Sequence, residues 1–396
     1  MRVSRRKFIR NSAYAASALM AGTTLSSCGI FDTPQPPSTT ETAEPTVAPT
    51  VTGDKNTLYI YGWATYVSNT EVMEGFTKET GIKVVGDSYD SNEVMLAKLQ
   101  AAGGKSGYSI IYPSDYMVAQ MHELDLLLPL NKKLLSNLQN IGEEYFVSAT
   151  LYDPGNKYGI PVSLGTTGIA YNVKAMREIV GAEPTDWSFL WEQRNKLRIT
   201  LLNDVREVMG MALHSLNFSY NAKEESAIRL AFEKLRELMP ATANFNTDAW
   251  RDPLTAGDLT LAMAFSGDGI SLMRQNKQDR EKDASVPEIK YILPASGTSI
   301  FMDMIAIPKG APNLEAAHAW MNYIMRPEIA AKISNANSFG TTNKLAKSLV
   351  DEDLKAIAVW EPTKIYINRS GRISKLDPEV SRIYETYWTR LTSGLG

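Results

Sequence analysis

A single cysteine, Cys28, stands in this chain of 396 residues, so no disulfide can form within it and no oxidising compartment can be argued from cysteine pairing. Histidine is almost as scarce. His122, His214 and His318 are scattered one at a time through helix-like stretches, where a packed or surface role is the ordinary one. There is no His-Glu-x-x-His pair to hold zinc and no Gly-x-Ser-x-Gly elbow to present a nucleophile, so the expectation is no catalytic residue, no metal and no cofactor. Gly103-Gly104-Lys105-Ser106 imitates the end of a phosphate-binding loop, but the glycine required five residues before Gly104 is Leu99; the segment reads as a turn. Beyond the N-terminus no apolar run approaches the roughly 18–20 residues of a membrane span. A surplus of positive charge is also missing. The five bases of residues 1–27 face no acid, and the rest carries 36 bases against 44 acids. A mildly acidic body argues against nucleic acid and suits a cationic partner.

What is present begins with an address. Arg2, Arg5, Arg6, Lys7 and Arg10 precede a small-residue, moderately apolar run from Ala13 to Leu25, followed by Leu25-Ser26-Ser27-Cys28-Gly29. The arrangement reads as a signal peptide over 1–27. Leu-Ser-Ser-Cys resembles the lipobox of bacterial lipoproteins, whose cysteine is acylated, so Cys28 is the expected lipidation site. Ser4-Arg5-Arg6-Lys7-Phe8-Ile9 resembles a twin-arginine export signal, and the low hydrophobicity of the run favours that route over general secretion. Residues 28–55, with Pro34-Gln35-Pro36-Pro37 and Thr39-Thr40-Glu41-Thr42, offer too little apolar surface to offset the entropy of ordering. They are expected to be the lipidated cysteine and a flexible tether.

From Asn56 the pattern is α/β. Leu58–Ile60 and Tyr61 predict a strand, about 69–80 a helix ending at Gly81, and Ile82–Val85 a second strand. Asp90 and Glu93 suggest a capping box opening a helix that runs to Gly103, and 108–112 a third strand. The β-α-β-α-β order predicts a mostly parallel sheet covered by helices. Further strands are expected at 198–203, 261–266, 290–293 and 304–307, and helices at about 222–238, 312–327 and 376–391.

In open α/β sheets ligands bind beyond the carboxyl ends of strands, and aromatics and acids gather at such places here. Trp63 and Tyr66 follow the first strand, and Ser114 and Tyr116 the third. Edge packing explains one such cluster more easily than two. Asp204 and Glu207, three apart after another strand, are compatible with a capping box and also with two carboxylates sharing the first turn of a helix. Asp303 is harder to dismiss. It sits in Phe301-Met302-Asp303-Met304-Ile305-Ala306-Ile307, and a carboxylate buried in an apolar strand is costly unless a cation meets it. Phe265-Ser266-Gly267-Asp268 repeats the theme. Aromatic walls with several carboxylates suit an aliphatic di- or triamine, whose ammonium groups need ionised acceptors and whose methylenes pack on rings.

With those residues in hand, the chain from about Asn56 to Leu391 resembles the periplasmic spermidine/putrescine-binding proteins of polyamine ABC transporters. The resemblance is colinear through Asn56–Trp63, Phe76–Val84, Tyr89–Glu93, Pro113–Tyr116, Asp204–Val208, Met302-Asp303 with Ala306–Pro308, and Asn322–Glu328. It implies a two-lobed α/β periplasmic-binding-protein fold with the ligand in the interlobe cleft. One lobe would hold 56–166 plus 302–349 and the other 167–301 plus 350–396. It implies that Trp63, Tyr66, Ser114 and Tyr116 wall the polyamine, that Asp204, Glu207 and Asp303 meet its nitrogens, and that Phe265 and Phe301 fall where spermidine-preferring relatives carry Trp. Asp268 matches an acid used by putrescine-preferring relatives. Ala64, Thr341 and Ser374 depart from the pattern, which bears on ligand length. The implied partners are a polyamine, an ABC permease and ATPase complex, and the membrane through the lipid anchor only, in an extracytoplasmic location. Two alternatives stay open: the same fold carrying another small solute, or a polyamine sensor.

Overall fold

The computed structural model describes residues 56–394; the segments expected to be a signal peptide and a tether, with Cys28, lie outside the described residues. The first strand, β1 (Thr57–Trp63), is buried along almost its whole length because both faces are covered. Asn69 then accepts the Val72 N–H and caps the helix Thr70–Thr80, which buries Val72 and Phe76 one turn apart and ends at Gly81 with φ of 74°. A side chain at that φ would be strained, so glycine is the natural stop. β2 (Lys83–Tyr89) pairs with β1 in parallel. The next helix, Asn92–Ala101, is capped by Ser91 through the Val94 N–H. The expected Asp90/Glu93 capping box does not form: Ser91 is closer to the turn and takes the bond, while Glu93 accepts from Tyr116. Gly103 and Gly104, both at positive φ, make the turn expected in place of a phosphate loop.

β3 (Ile110–Ile111) is shorter than 108–112 suggests. β4 (Gly159–Asn172) was not expected at all. The remaining strands are β5 (Ile199–Leu201), β6 (Thr242–Phe245), β7 (Leu261–Phe265), β8 (Ile289–Ile292), β9 (Ser299–Ala306), β10 (Gly340–Thr341) and β11 (Gly371–Arg372). They form the order β2-β1-β3-β9-β4-β7-β5-β6, with β8 and β10 on β4 and β11 on β9.

The expectation of a mostly parallel arrangement holds at the two ends and, in the centre, only where the short β11 joins β9. β2-β1-β3 and β7-β5-β6 are parallel, whereas β9 runs antiparallel to β3 and β4, and β4 antiparallel to β7 and β8. The reason is β4 itself. Its first half, Gly159 to Thr166, pairs with β9; from Thr167 onward it pairs with β7 and β8. One strand thus belongs to two sheet halves, each flanked by helices, giving a two-lobed α/β body. Among the described residues no helix is long and apolar enough to cross a membrane.

Candidate ligand-binding site

The loops that leave β1, β3, β5 and β7, together with the side of β9, converge on one cavity. Trp63, Ser114, Tyr116, Asp204, Glu207, Phe265, Asp268, Phe301 and Asp303 all line it. Residues from distant parts of the chain therefore meet because strand ends bring them there.

The walls are rings. Trp63 lies 4.7 Å from Tyr89 and 5.8 Å from Phe265, Phe265 stands edge-on to Phe301 at 5.4 Å, and Phe301 meets Phe339 at 6.2 Å. Phe339 lines the cavity too and escapes sequence reasoning, because it precedes a two-residue strand and follows no periodic signal. Gly267 must be glycine for this wall to close: a Cβ there would sit 2.5 Å from the Phe339 ring and from the Asn337 carbonyl oxygen.

Asp303 lies within β9, 2 % exposed. Its Oδ2 accepts the Tyr66 hydroxyl at 2.8 Å and its Oδ1 the Ser114 hydroxyl at 3.2 Å. Ser114 is in turn held by Asn92, which accepts the Ser114 N–H at 3.0 Å and also lines the cavity. Tyr66 differs from expectation. It is not among the lining residues; it faces a second cavity with Tyr112 and supports Asp303 from behind. Burial pushes Asp303 up to about 7, against the lowering effect of the two hydroxyls. Lys309, the nearest base in sequence, is engaged with Asp125 instead.

Glu207 is likewise buried, and its carboxylate hydrogen-bonds to hydroxyls alone, with the charge of Arg206 acting on it through space. Its Oε2 accepts from Thr167 at 2.9 Å and from Ser299 at 2.6 Å, and burial raises it to about 7. Asp204 and Glu207 divide the work that a capping box would share. Asp204 Oδ1 accepts the Arg206 and Glu207 N–H groups at 2.9 and 3.0 Å and starts the helix Val205–Ser215, but Glu207 does not reach back; it turns to Thr167 and Ser299. Burial and the neighbouring Glu207 raise Asp204 to about 7. Behind Tyr116, whose hydroxyl donates to Glu93 at 3.1 Å, burial and Asp204 raise Glu93 to about 7. Arg206 is the nearest base. Its guanidinium donates to the Ser374 carbonyl and to Asn221 Oδ1, each at 3.0 Å, and faces the rings of Tyr116 and Tyr384. It does not line the cavity.

Asp268 is the exception among the acids. Arg251 donates to its Oδ1, so this carboxylate already has a cation of the protein's own. Burial still raises Asp268 to about 6, with Arg251 acting against that rise. The site thus holds five lining acids, Asp204, Glu207, Asp248, Asp268 and Asp303, and no lining base.

The histidines are engaged elsewhere. His122 stacks on Tyr158 at 4.2 Å, His214 Nε2 lies 3.1 Å from the Ser296 carbonyl oxygen, and His318 Nε2 accepts the Asn131 N–H at 3.0 Å. Among the described residues no group of three or more His, Cys, Asp or Glu side chains is placed to hold a metal.

The chain is similar to known proteins over most of its length. The family of bacterial extracellular solute-binding proteins matches residues 71–357. A putrescine-binding periplasmic protein of Pseudomonas aeruginosa is 33% identical over 348 residues, covering 86% of this chain and 93% of that protein. A spermidine/putrescine-binding periplasmic protein of Salmonella typhimurium is 34% identical over 342 residues, with coverage of 86% and 93%. The crystal structure of a spermidine/putrescine ABC transporter substrate-binding protein of Streptococcus pneumoniae superposes with a TM-score of 0.68 at 30% identity, over 85% of this chain and 99% of the other.

Proposed function

We propose, for a chain that belongs to the bacterial extracellular solute-binding protein family, that the solute it captures is a polyamine of the spermidine/putrescine class, for delivery to an ABC importer. Members of this family bind solutes for transport and are not enzymes. The observation that carries the polyamine reading is the pairing of Glu207 and Asp303: both are buried, both line the cavity, and both hydrogen-bond to neutral hydroxyls with no direct bond to a base. A carboxylate so placed sits near neutrality, half protonated, until a cation arrives. An ammonium group supplies that cation, and two carboxylates ask for two of them. The rings of Trp63, Phe265, Phe301 and Phe339 offer faces and edges to the methylenes and the CH groups beside each N⁺. A neutral sugar would use the rings but leave the buried acids unanswered.

The exchange of partners along β4 after Thr166 supports a division of the body there. We assign residues 56–166 plus 302–349 to one lobe and 167–301 plus 350–396 to the other, with the ligand held between them and the lobes hinging at the crossing strands. The N-terminal sequence supports export, acylation of Cys28 and a tether from that lipid anchor to the folded body, in an extracytoplasmic location, periplasmic or at the outer face of the cell membrane. The relatives named above are described as periplasmic.

Native mass spectrometry of freshly purified protein tests the reading. It is expected to show an added mass equal to a di- or triamine, released by mild denaturation. A protein that carries no amine and gains none on incubation with putrescine or spermidine would contradict it.

A further inference from the structure

The cavity opens to a vestibule that shares Ala64, Thr65, Asp248 and Asp268 with it. Asp204, Glu207 and Asp303 line only the inner part. The acids therefore divide into an inner set and a mouth set, and only the mouth set holds a direct ion pair: Arg206 acts on Asp204 and Glu207 through space but bonds to Ser374 and Asn221. Arg251, at the start of the helix Arg251–Ala256, lines the vestibule and donates to Asp268. Its side chain is 39% exposed while that of Asp268 is 10% exposed, so the guanidinium reaches inward from the solvent side. The same guanidinium acts on Asp248, the other mouth acid, whose carboxyl is raised by burial and lowered by Arg251.

We infer that Arg251 is a specificity-determining residue: as the resident cation on Asp268, it withdraws the mouth of the cavity from the acceptors open to ammonium groups and confines them to the inner acids, and so selects a diamine over a longer triamine that would reach the mouth. The inference rests on the polyamine reading above and deepens it. A third ammonium at the mouth would have to displace a guanidinium already bonded to Asp268, or sit beside it as a like charge. Either event penalises the triamine and leaves the diamine untouched. Asp268 by itself would invite the opposite conclusion, since an unpaired acid there offers a third acceptor. The ion pair is what decides. Because Arg251 is partly exposed and lines the vestibule, its loss removes a charge without opening the core.

The test is titration calorimetry with putrescine, which carries two charges, and spermidine, which carries three, on the mature protein. The parent is expected to bind putrescine more tightly. Arg251→Ala should improve the Kd for spermidine relative to putrescine by about tenfold. The double variant Arg251→Ala/Asp268→Asn should lose that gain, because the freed acceptor is gone. Arg251→Gln, which is also uncharged but keeps a donor near Asp268, serves if the alanine variant fails to fold, and the same gain is expected of it. A parent that binds both amines, with Arg251→Ala and Arg251→Gln shifting the two constants equally, overturns this inference and leaves the polyamine reading standing. A parent that prefers spermidine also overturns it. A parent that binds neither amine overturns the polyamine reading and this inference with it.

Discussion

Asp303 and Glu207 are surrounded by hydroxyls, and that choice of neighbour separates an acid awaiting a guest from one that serves the fold. A hydroxyl donates one hydrogen bond and brings no charge, so it holds the carboxylate in place without meeting its need for a cation. Asp303→Asn and Glu207→Gln keep shape and remove the charge. Each is expected to weaken amine binding by roughly 2–5 kcal/mol, because a buried ammonium would lose its partner; calorimetry on folded variants checks this. Tyr66→Phe acts one step back. Removing the hydroxyl that donates to Asp303 should weaken binding by about 1 kcal/mol, the worth of one ordinary hydrogen bond, while leaving the cavity wall unchanged. Much of this was legible in the sequence: a lone acid in an apolar strand and an aromatic after a strand are visible without coordinates. Three things were not. Arg251 lies 17 positions from Asp268 in sequence, with nothing local to pair them. Phe339 sits before a strand too short to announce itself. Tyr66 belongs to the right neighbourhood but turns its hydroxyl to the back of Asp303, and side-chain direction in the one-turn helix Ala64–Val67 that follows β1 is not written in spacing.

At the scale of elements, the helix Val205–Ser215 shows how one turn serves both fold and site. Asp204 caps it through two backbone N–H groups, which frees Glu207 to face Thr167 and Ser299. Asp204→Ala should lower stability by about 1 kcal/mol, within the range for a lost N-cap, while Asp204→Asn, which keeps the acceptor, should not; urea denaturation followed by circular dichroism distinguishes them. Helices with a cap, a buried stripe and a glycine stop were well marked, as at Asn69 and Gly81. β4 was invisible because Pro161, Gly165 and Gly168 interrupt it and because burial along nearly its whole length erases the alternation that marks a half-exposed strand. Missing β4 meant missing the antiparallel centre of the sheet. The ends, built from β-α-β units, were read correctly as parallel.

For the whole molecule, the raised acids make stability depend on pH in an unusual direction. Glu93, Asp204, Glu207 and Asp303 titrate at about 7 in the folded protein, above their ordinary values near 4 in an unfolded chain. Between those values the folded state holds protons that the unfolded state has released. The stability they contribute is complete below about pH 4 and is lost as pH rises through about 7. The ligand-free protein should therefore melt at a lower temperature at pH 8 than at pH 5.5, and an amine that meets these carboxylates should raise the melting temperature more at pH 8; scanning calorimetry with and without putrescine checks both. The same linkage gives the most direct test of the central claim. If Glu207 and Asp303 take up ammonium groups, they must ionise as they do so, and binding at pH 7 must release protons. Titration calorimetry with putrescine in two buffers of different ionisation enthalpy measures that release. The account predicts binding heats that differ between the buffers in the sense of protons given up to the buffer; identical heats, or no heat at all, would contradict it.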